Sequence, residues 1–211
     1  YGQFLFVDLN VKTASGGSLT QFGTLTTIPV TNPFIPNDLR TILASRPNPT
    51  AVFTWNGRYV GIPYKNWDES YIVQQYLAGV KGNIADGWTF DVFAAYDSSN
   101  HDQTLHYGVV KSQVQKLLNA ADGGNSLCAG GFSPFGDANA RNLSAACGAF
   151  MTKDAISTED LSQTQVQAQV NGRLFDLGAG PVQLAMLAGY RRNTYDYVPD
   201  KDLQNQNIEA V

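Results

Sequence analysis

From residue 163 to residue 174 the chain alternates between polar and apolar side chains. The odd positions are Gln163, Gln165, Gln167, Gln169, Asn171 and Arg173, and the even positions from 166 are Val166, Ala168, Val170, Gly172 and Leu174. Successive side chains of a strand point to opposite faces, so this period of two makes one wet face and one apolar face. A helix would scatter the same residues around its circumference. The turn DLGAGP follows, and in VQLAMLAGYRRNTYDY the residues Val182, Leu184, Met186, Ala188 and Tyr190 again share one face. Two such runs joined by a short turn predict a hairpin.

An earlier pair has the same plan. Ile72, Tyr76, Ala78, Val80 and Ile84 align on one face of the first run, with Gln74 as an exception. After Ala85-Asp86-Gly87, the second run aligns Trp88, Phe90, Val92, Ala94 and Tyr96. With YGQFLFVDLNV at the start, five strands are expected near residues 1–13, 70–84, 87–98, 163–176 and 181–196. Between the hairpins lie long stretches without sustained alternation, near residues 14–68 and 98–162, with a further one at 197–211. Short loop helices are expected in DLRTILAS, capped by Asn37, and in VVKSQVQKLLNAA, with Val110, Val114, Leu117 and Leu118 in phase. Structureless connections of such length are uncommon in a compact soluble domain. Short turns on one side and long loops on the other suit an outer-membrane barrel. Trp67, Tyr71, Tyr96, Tyr195 and Tyr197 fall at the strand ends towards the long loops, and Trp88, Phe90 and Phe175 fall near the short turns. Two such groups read as the aromatic belts of a barrel, although aromatics end strands in many sheets.

Composition narrows the class further. Of the 211 residues 15% are charged, below the usual quarter, and the net charge is -4. With no basic cluster, nucleic acid is not an expected partner. No apolar run approaches the roughly 18 residues of a membrane-crossing helix, so a membrane would have to be crossed by strands. Tyr1 opens in what reads as mid-strand and LQNQNIEAV has no terminating feature, so both ends are expected to be cuts through a longer chain. Cys128 and Cys147, the two cysteines, share one Gly/Ser/Asn-rich stretch without a nearby His. A disulfide in an oxidising compartment is the expectation, with two free thiols as the alternative.

Candidate chemistry is thin. His101 and His106 flank Asp102 in a spacing that matches no established ligand set, and a solvated loop is the preferred reading. Asp196, Asp200 and Asp202 lack the order of a calcium loop. No GxSxG elbow and no triad spacing is present, so no enzyme, catalytic residue, metal or cofactor is expected. Asn142-Leu143-Ser144 is a glycosylation triplet by pattern, and the glycine pairs at 16–17, 123–124 and 130–131 lack the Lys of a phosphate loop.

Four stretches carry a family resemblance. NPFIPNDLRTILASRPNPTAVFTW (Asn32 to Trp55), YLAGVKGNIADGWTFDVFAAY (Tyr76 to Tyr96), LCAGGFSPFGDANARNLSAAC (Leu127 to Cys147) and NGRLFDLGAGPVQLAMLAGYR (Asn171 to Arg191) resemble, in order, a loop, a hairpin, a cysteine-bounded loop and a second hairpin of TonB-dependent outer-membrane receptors of Gram-negative bacteria. The likeness covers most of residues 32–192, with two departures: Gly180-Pro181 crowded into the last turn, and no acidic residue before Tyr190-Arg191.

The resemblance implies an all-β fold. The chain, residues 1–211, would be about five strands of an antiparallel transmembrane β-barrel of about 22 strands, with long extracellular loops bearing short helices. It implies energy-coupled uptake of a scarce small-molecule nutrient of the siderophore, cobalamin or carbohydrate class, in the outer membrane. The TonB complex would act through a plug that these residues do not include. Gln165, Gln167, Gln169, Asn171 and Arg173 would face the lumen. Val166, Val170, Leu174, Val182, Leu184 and Met186 would face outer-membrane lipid. The ligand-binding residues are not legible, and the loop near 98–162, tied by Cys128 and Cys147, is the candidate. The alternative is a soluble secreted β-rich domain that binds glycans or hydrolyses them.

Overall fold

The computed structural model of the protein describes residues 1–14, 26–56, 59, 61–135 and 143–209. Asn142 and the Gly16-Gly17 pair lie outside the described residues. The elements run β1 (Gly2–Ala14), β2 (Thr26–Ile28), α1 (Asn37–Ala44), β3 (Phe53–Trp55), β4 (Asn66–Ala85), β5 (Trp88–Val109), α2 (Lys111–Asn119), α3 (Ala145–Met151), β6 (Thr152–Leu177), β7 (Gly180–Val198) and α4 (Lys201–Gln204). Five strands form one open sheet in the order β1-β4-β5-β6-β7, and β2 pairs antiparallel with β3 in a second, small sheet. The chain divides into two compact units.

The first unit is Tyr1–Val11, Glu69–Asp102 and Thr158–Val198, all sheet strands. Its best-defined pair is β6 with β7, whose antiparallel register sets Val166 against Tyr190, Ala168 against Ala188, Val170 against Met186 and Gly172 against Leu184. The intervening positions set Gln163 against Asn193, Gln165 against Arg191, Gln169 against Leu187 and Arg173 against Gln183. Because side chains alternate, these are the two faces of one sheet. The register slips by one residue after Arg173, so Phe175 stands opposite Val182 and Leu174 is the unpaired bulge residue. Trp88 lies over Gly172, where a Cβ would collide with the indole ring, so a glycine is required there by close approach.

The strands run further than the alternation predicts: β5 reaches Val109 rather than stopping near 98, and β6 begins at Thr152 rather than near 163. The expected connection over 98–162 therefore shrinks to the chain between β5 and β6. In NHDQTLHY and TKDAISTED polar residues occupy both faces, so a paired strand shows no hydropathy period there.

The second unit is Lys12–Asp68, Gln103–Ser157 and Pro199–Val211. It has a core of its own, which corrects the reading of its helices as mere loop decoration. Val114, Leu117 and Leu118 of α2 are wholly buried, packed with Ile28, Ile35 and Leu43 among others. Asn37 does not cap α1; Pro36 occupies the cap position and Asn37 is the first helical residue. Polar side chains fasten this unit to its own backbone. Asn32, 1% exposed, donates from Nδ2 to the Leu118 carbonyl (2.9 Å) and accepts from the Phe34 N–H (3.0 Å). Arg40 donates to the carbonyls of Ile35 and Asn32, and Arg46 to those of Leu43 and Ala51. These contacts give further partners to carbonyls in the turns and at the end of α1. Gly123 has φ 69°, and its missing side chain leaves room for the Phe34 ring. Cys128 and Cys147 are joined by a disulfide. Ser144 caps α3 by accepting from the Cys147 N–H (3.1 Å), which seats the second half-cystine.

Candidate functional site

The sheet unit offers two surfaces of opposite character. On the face of Val166 (43% exposed), Met186 (53%) and Tyr190 (60%), large apolar side chains stand open, and Val80 and Ile84 of β4 are each more than 60% exposed. Among the described residues Ala95 is the one buried apolar residue of this unit. The other face carries the amide ladder. Gln163 donates to Asn193 (2.9 Å) and Gln169 to Asn171 (3.1 Å), while Arg173 pairs with Asp176. A groove of about 400 Å³ is lined by Lys81, Thr89, Asp91, Gln169 and Asn171 among others.

Away from the short turns this polar face bears a compact cluster. The Tyr71 ring stacks on His101 with centroids 4.0 Å apart and planes 5° apart, and the Tyr71 hydroxyl donates to Glu69 (2.9 Å). The His101 nitrogens lie 3.9 Å from a Glu69 oxygen and 3.7 Å from a Glu159 oxygen. The β6–β7 register sets Glu159 against Tyr197 and Leu161 against Tyr195, so both of these tyrosines stand in phase with the amide ladder. This overturns part of the belt reading. Tyr71, Tyr195 and Tyr197 share the polar face. Tyr190, opposite Val166, lies on the apolar one, as does Trp88 over Gly172. The signal was present in the sequence as residue parity: 71, 195 and 197 are odd like the glutamines. Trp67 belongs to the second unit, packed against Leu105, Val110, Ala155 and Ile208.

The second unit holds two ionic clusters. His106 Nδ1 is 2.8 Å from an Asp154 oxygen and its Nε2 is 3.6 Å from Asp68, which also accepts from Lys12 (3.0 Å). The Lys12 hydrogen bond, helped by Lys12 and His106 charge, holds the Asp68 carboxyl below its usual range. Asp200 and Asp202, weighed above as a calcium loop, instead grip Lys153 (3.1 and 2.7 Å), and Asp200 caps α4 by accepting from the Asp202 N–H. His101 and His106, flanking Asp102, lie in strand β5 rather than in a loop, and each has its own partners in a different unit. No group of three or more His, Cys, Asp or Glu among the described residues is arranged to hold a metal ion. No helix among them is long and apolar enough to cross a membrane, which says nothing about crossing by strands.

No family model, curated protein or solved structure matches the chain.

Proposed function

We propose that the chain is a segment of the β-barrel of a TonB-dependent outer-membrane receptor, taking up a scarce small-molecule nutrient. The observation that carries this reading is a sheet unit whose apolar face is open and in which Ala95 is the one buried apolar residue among those described. A contiguous apolar surface of this kind is unfavourable in water and favourable against lipid. Strands of 19 to 26 residues in β4 to β7 far exceed the usual five or six, and are long enough to cross a hydrocarbon layer and continue beyond it. On this reading Val166, Val170, Leu174, Val182, Leu184 and Met186 meet lipid. Gln165, Gln167, Gln169, Asn171 and Arg173 line the lumen, and the Tyr71–His101–Glu159 cluster stands on the ligand's side of the wall. Further strands would close the sheet, since a transmembrane sheet has no free edge. A plug would receive the pull of the TonB complex.

A soluble secreted glycan-binding or hydrolytic domain accounts for the disulfide and for the core of the second unit. It leaves the apolar sheet face without a partner.

The test is single-cysteine scanning of residues 165–170 in the full-length protein, in a background with both native cysteines replaced. Water-soluble maleimide should label 165, 167 and 169 and spare 166, 168 and 170, with a lipid-soluble maleimide giving the reverse. Equal labelling by the water-soluble reagent at all six positions sinks the membrane reading.

A further inference from the structure

Residues 207–209 lie along the end of β5 as a third-party strand fragment. Ile208 bridges antiparallel to Val110, the Lys111 N–H donates to the Asn207 carbonyl (2.8 Å), and the Glu209 N–H donates to the Val109 carbonyl (2.8 Å). The Asn207 side chain reinforces this, accepting from the Ser112 N–H (3.0 Å) and donating to Asp202 (2.7 Å). Ile208, 4% exposed, fills a small cluster with Leu105, Val110 and Ala155.

Glu209 ends this run in a place unsuited to a charge. The residue is wholly buried, and neither carboxylate oxygen has a hydrogen-bond partner among the described residues. Three titratable groups face it. Lys65, 4% exposed, donates from Nζ to the Glu209 backbone carbonyl (3.3 Å) rather than to its carboxylate. Lys111 contributes charge from α2, and the buried Tyr59 hydroxyl feels the Glu209 charge. Burial pushes the Glu209 carboxyl up to about 7, against the pull of Lys111 and Lys65. Burial likewise lowers Lys65 and, together with Glu209, raises Tyr59.

We propose that Glu209 is a proton-operated latch: the 207–209 segment is held on Val109–Lys111 while the buried carboxyl is protonated and is let go when it ionises. The physical reason is that an ionised carboxylate is costly to keep dry without hydrogen-bond donors, whereas the protonated acid is tolerated. The sign follows from linkage. A carboxyl raised in the closed state binds a proton that the open state has already lost, so closure is favoured at low pH. That preference fades as pH climbs from the ordinary carboxyl range through about 7, above which both states are ionised. Release would uncover the backbone edge of Val109–Lys111 and withdraw Ile208 from Leu105, Val110 and Ala155. The pH of the surroundings would thereby act on the second unit without touching the sheet's own pairing.

The test is amide exchange at Lys111 and Glu209, the two N–H groups that close the latch, in the full-length protein between pH 5 and 8, after division by intrinsic chemical rates. Opening should rise on the order of tenfold per pH unit from about 5 to about 7 and then level off. Glu209→Gln should remove the rise. Lys65→Met, which takes away a cation favouring the ionised form, should move the levelling point to higher pH. A native protein whose corrected exchange ignores pH, or a Glu209→Gln protein with the native slope, overturns the proposal. If Glu209→Gln does not fold, an unmoved levelling point in Lys65→Met overturns it equally.

Discussion

The two units of this chain solve the problem of apolar side chains in opposite ways. The second unit buries them: every buried apolar residue among those described, apart from Ala95, lies there, in one cluster around α2 and the disulfide and a smaller one around Ile208. The sheet unit displays them, with Val80, Met186, Leu187 and Tyr190 each more than half exposed. Its cohesion comes instead from backbone ladders and from rings laid over cross-strand positions, as Phe4 with Tyr76, Tyr71 with His101, and Trp88 over Gly172. One unit is organised like a water-soluble domain. The other leaves one apolar face open, the face that meets lipid on the proposed reading.

That contrast can be broken by mutation. The largest effect is expected at Leu117, wholly buried in the second unit, where Leu117→Ala should destabilise by about 2–5 kcal/mol. The fluorescence of Trp55, which packs edge-on against Tyr59 and Phe132, gives a local readout in urea titration of the full-length protein. Leu187→Ala, at a site 64% exposed, should change little when the same titration is followed at Trp88, which lies over Gly172 in the sheet unit. A large loss at Leu187 would mean that the sheet has a hidden packed core. Next comes the disulfide across a separation of 19 residues. Cys128→Ser with Cys147→Ser should cost about 3 kcal/mol in the chain-entropy model, read at Trp55, and should leave exchange protection of the β6–β7 ladder unchanged. Third is Val170→Arg, opposite Met186. In a bilayer it should cost about 2–4 kcal/mol of stability, whereas at a water-exposed site the change should stay within about 0.5 kcal/mol.

Legibility followed the same division. In the sheet unit a single face-defining period was enough to separate Val166, Val170 and Met186 from Gln165, Gln167 and Gln169, because pleating ties sequence parity directly to facing. The bulge at Leu174 was not visible, since one unpaired residue changes the register without changing composition. Nor were the outer halves of β5 and β6, where His106, Asp154 and their neighbours make both faces polar. In the second unit the two short helices, the phase of Val114, Leu117 and Leu118, and the disulfide were legible, but the core that they build was not. Its core is assembled from residues far apart in sequence, such as Ile28 and Leu118. Asn32, Arg40 and Arg46 turn polar groups onto backbone carbonyls that no pattern of hydropathy reveals. The Tyr71–His101–Glu159 cluster falls between these cases. Its parity could be read, but the stacking distance and the convergence of two carboxylates on one imidazole needed three strands in register.

The smallest expected effect is also the sharpest comparison, because it needs only the neighbouring residue. Gln169 stands opposite Leu187 on the polar face, one position before Val170. Gln169→Arg places the same guanidinium at nearly the same depth along the strand, but pointing to the other side. If that side is aqueous, the substitution replaces one hydrated group by another and should stay within about 0.5 kcal/mol in urea titration of the full-length protein. Local amides favour tolerance, since Asn171 already accepts from Gln169 and can accept from arginine instead. A penalty at residue 169 matching that at 170 would mean that both faces are dry, as in a sheet buried between two layers, and the membrane reading would fail. Small effects at both positions would mean that both faces are wet. Only a cost confined to 170 fits a sheet that stands between lipid and water.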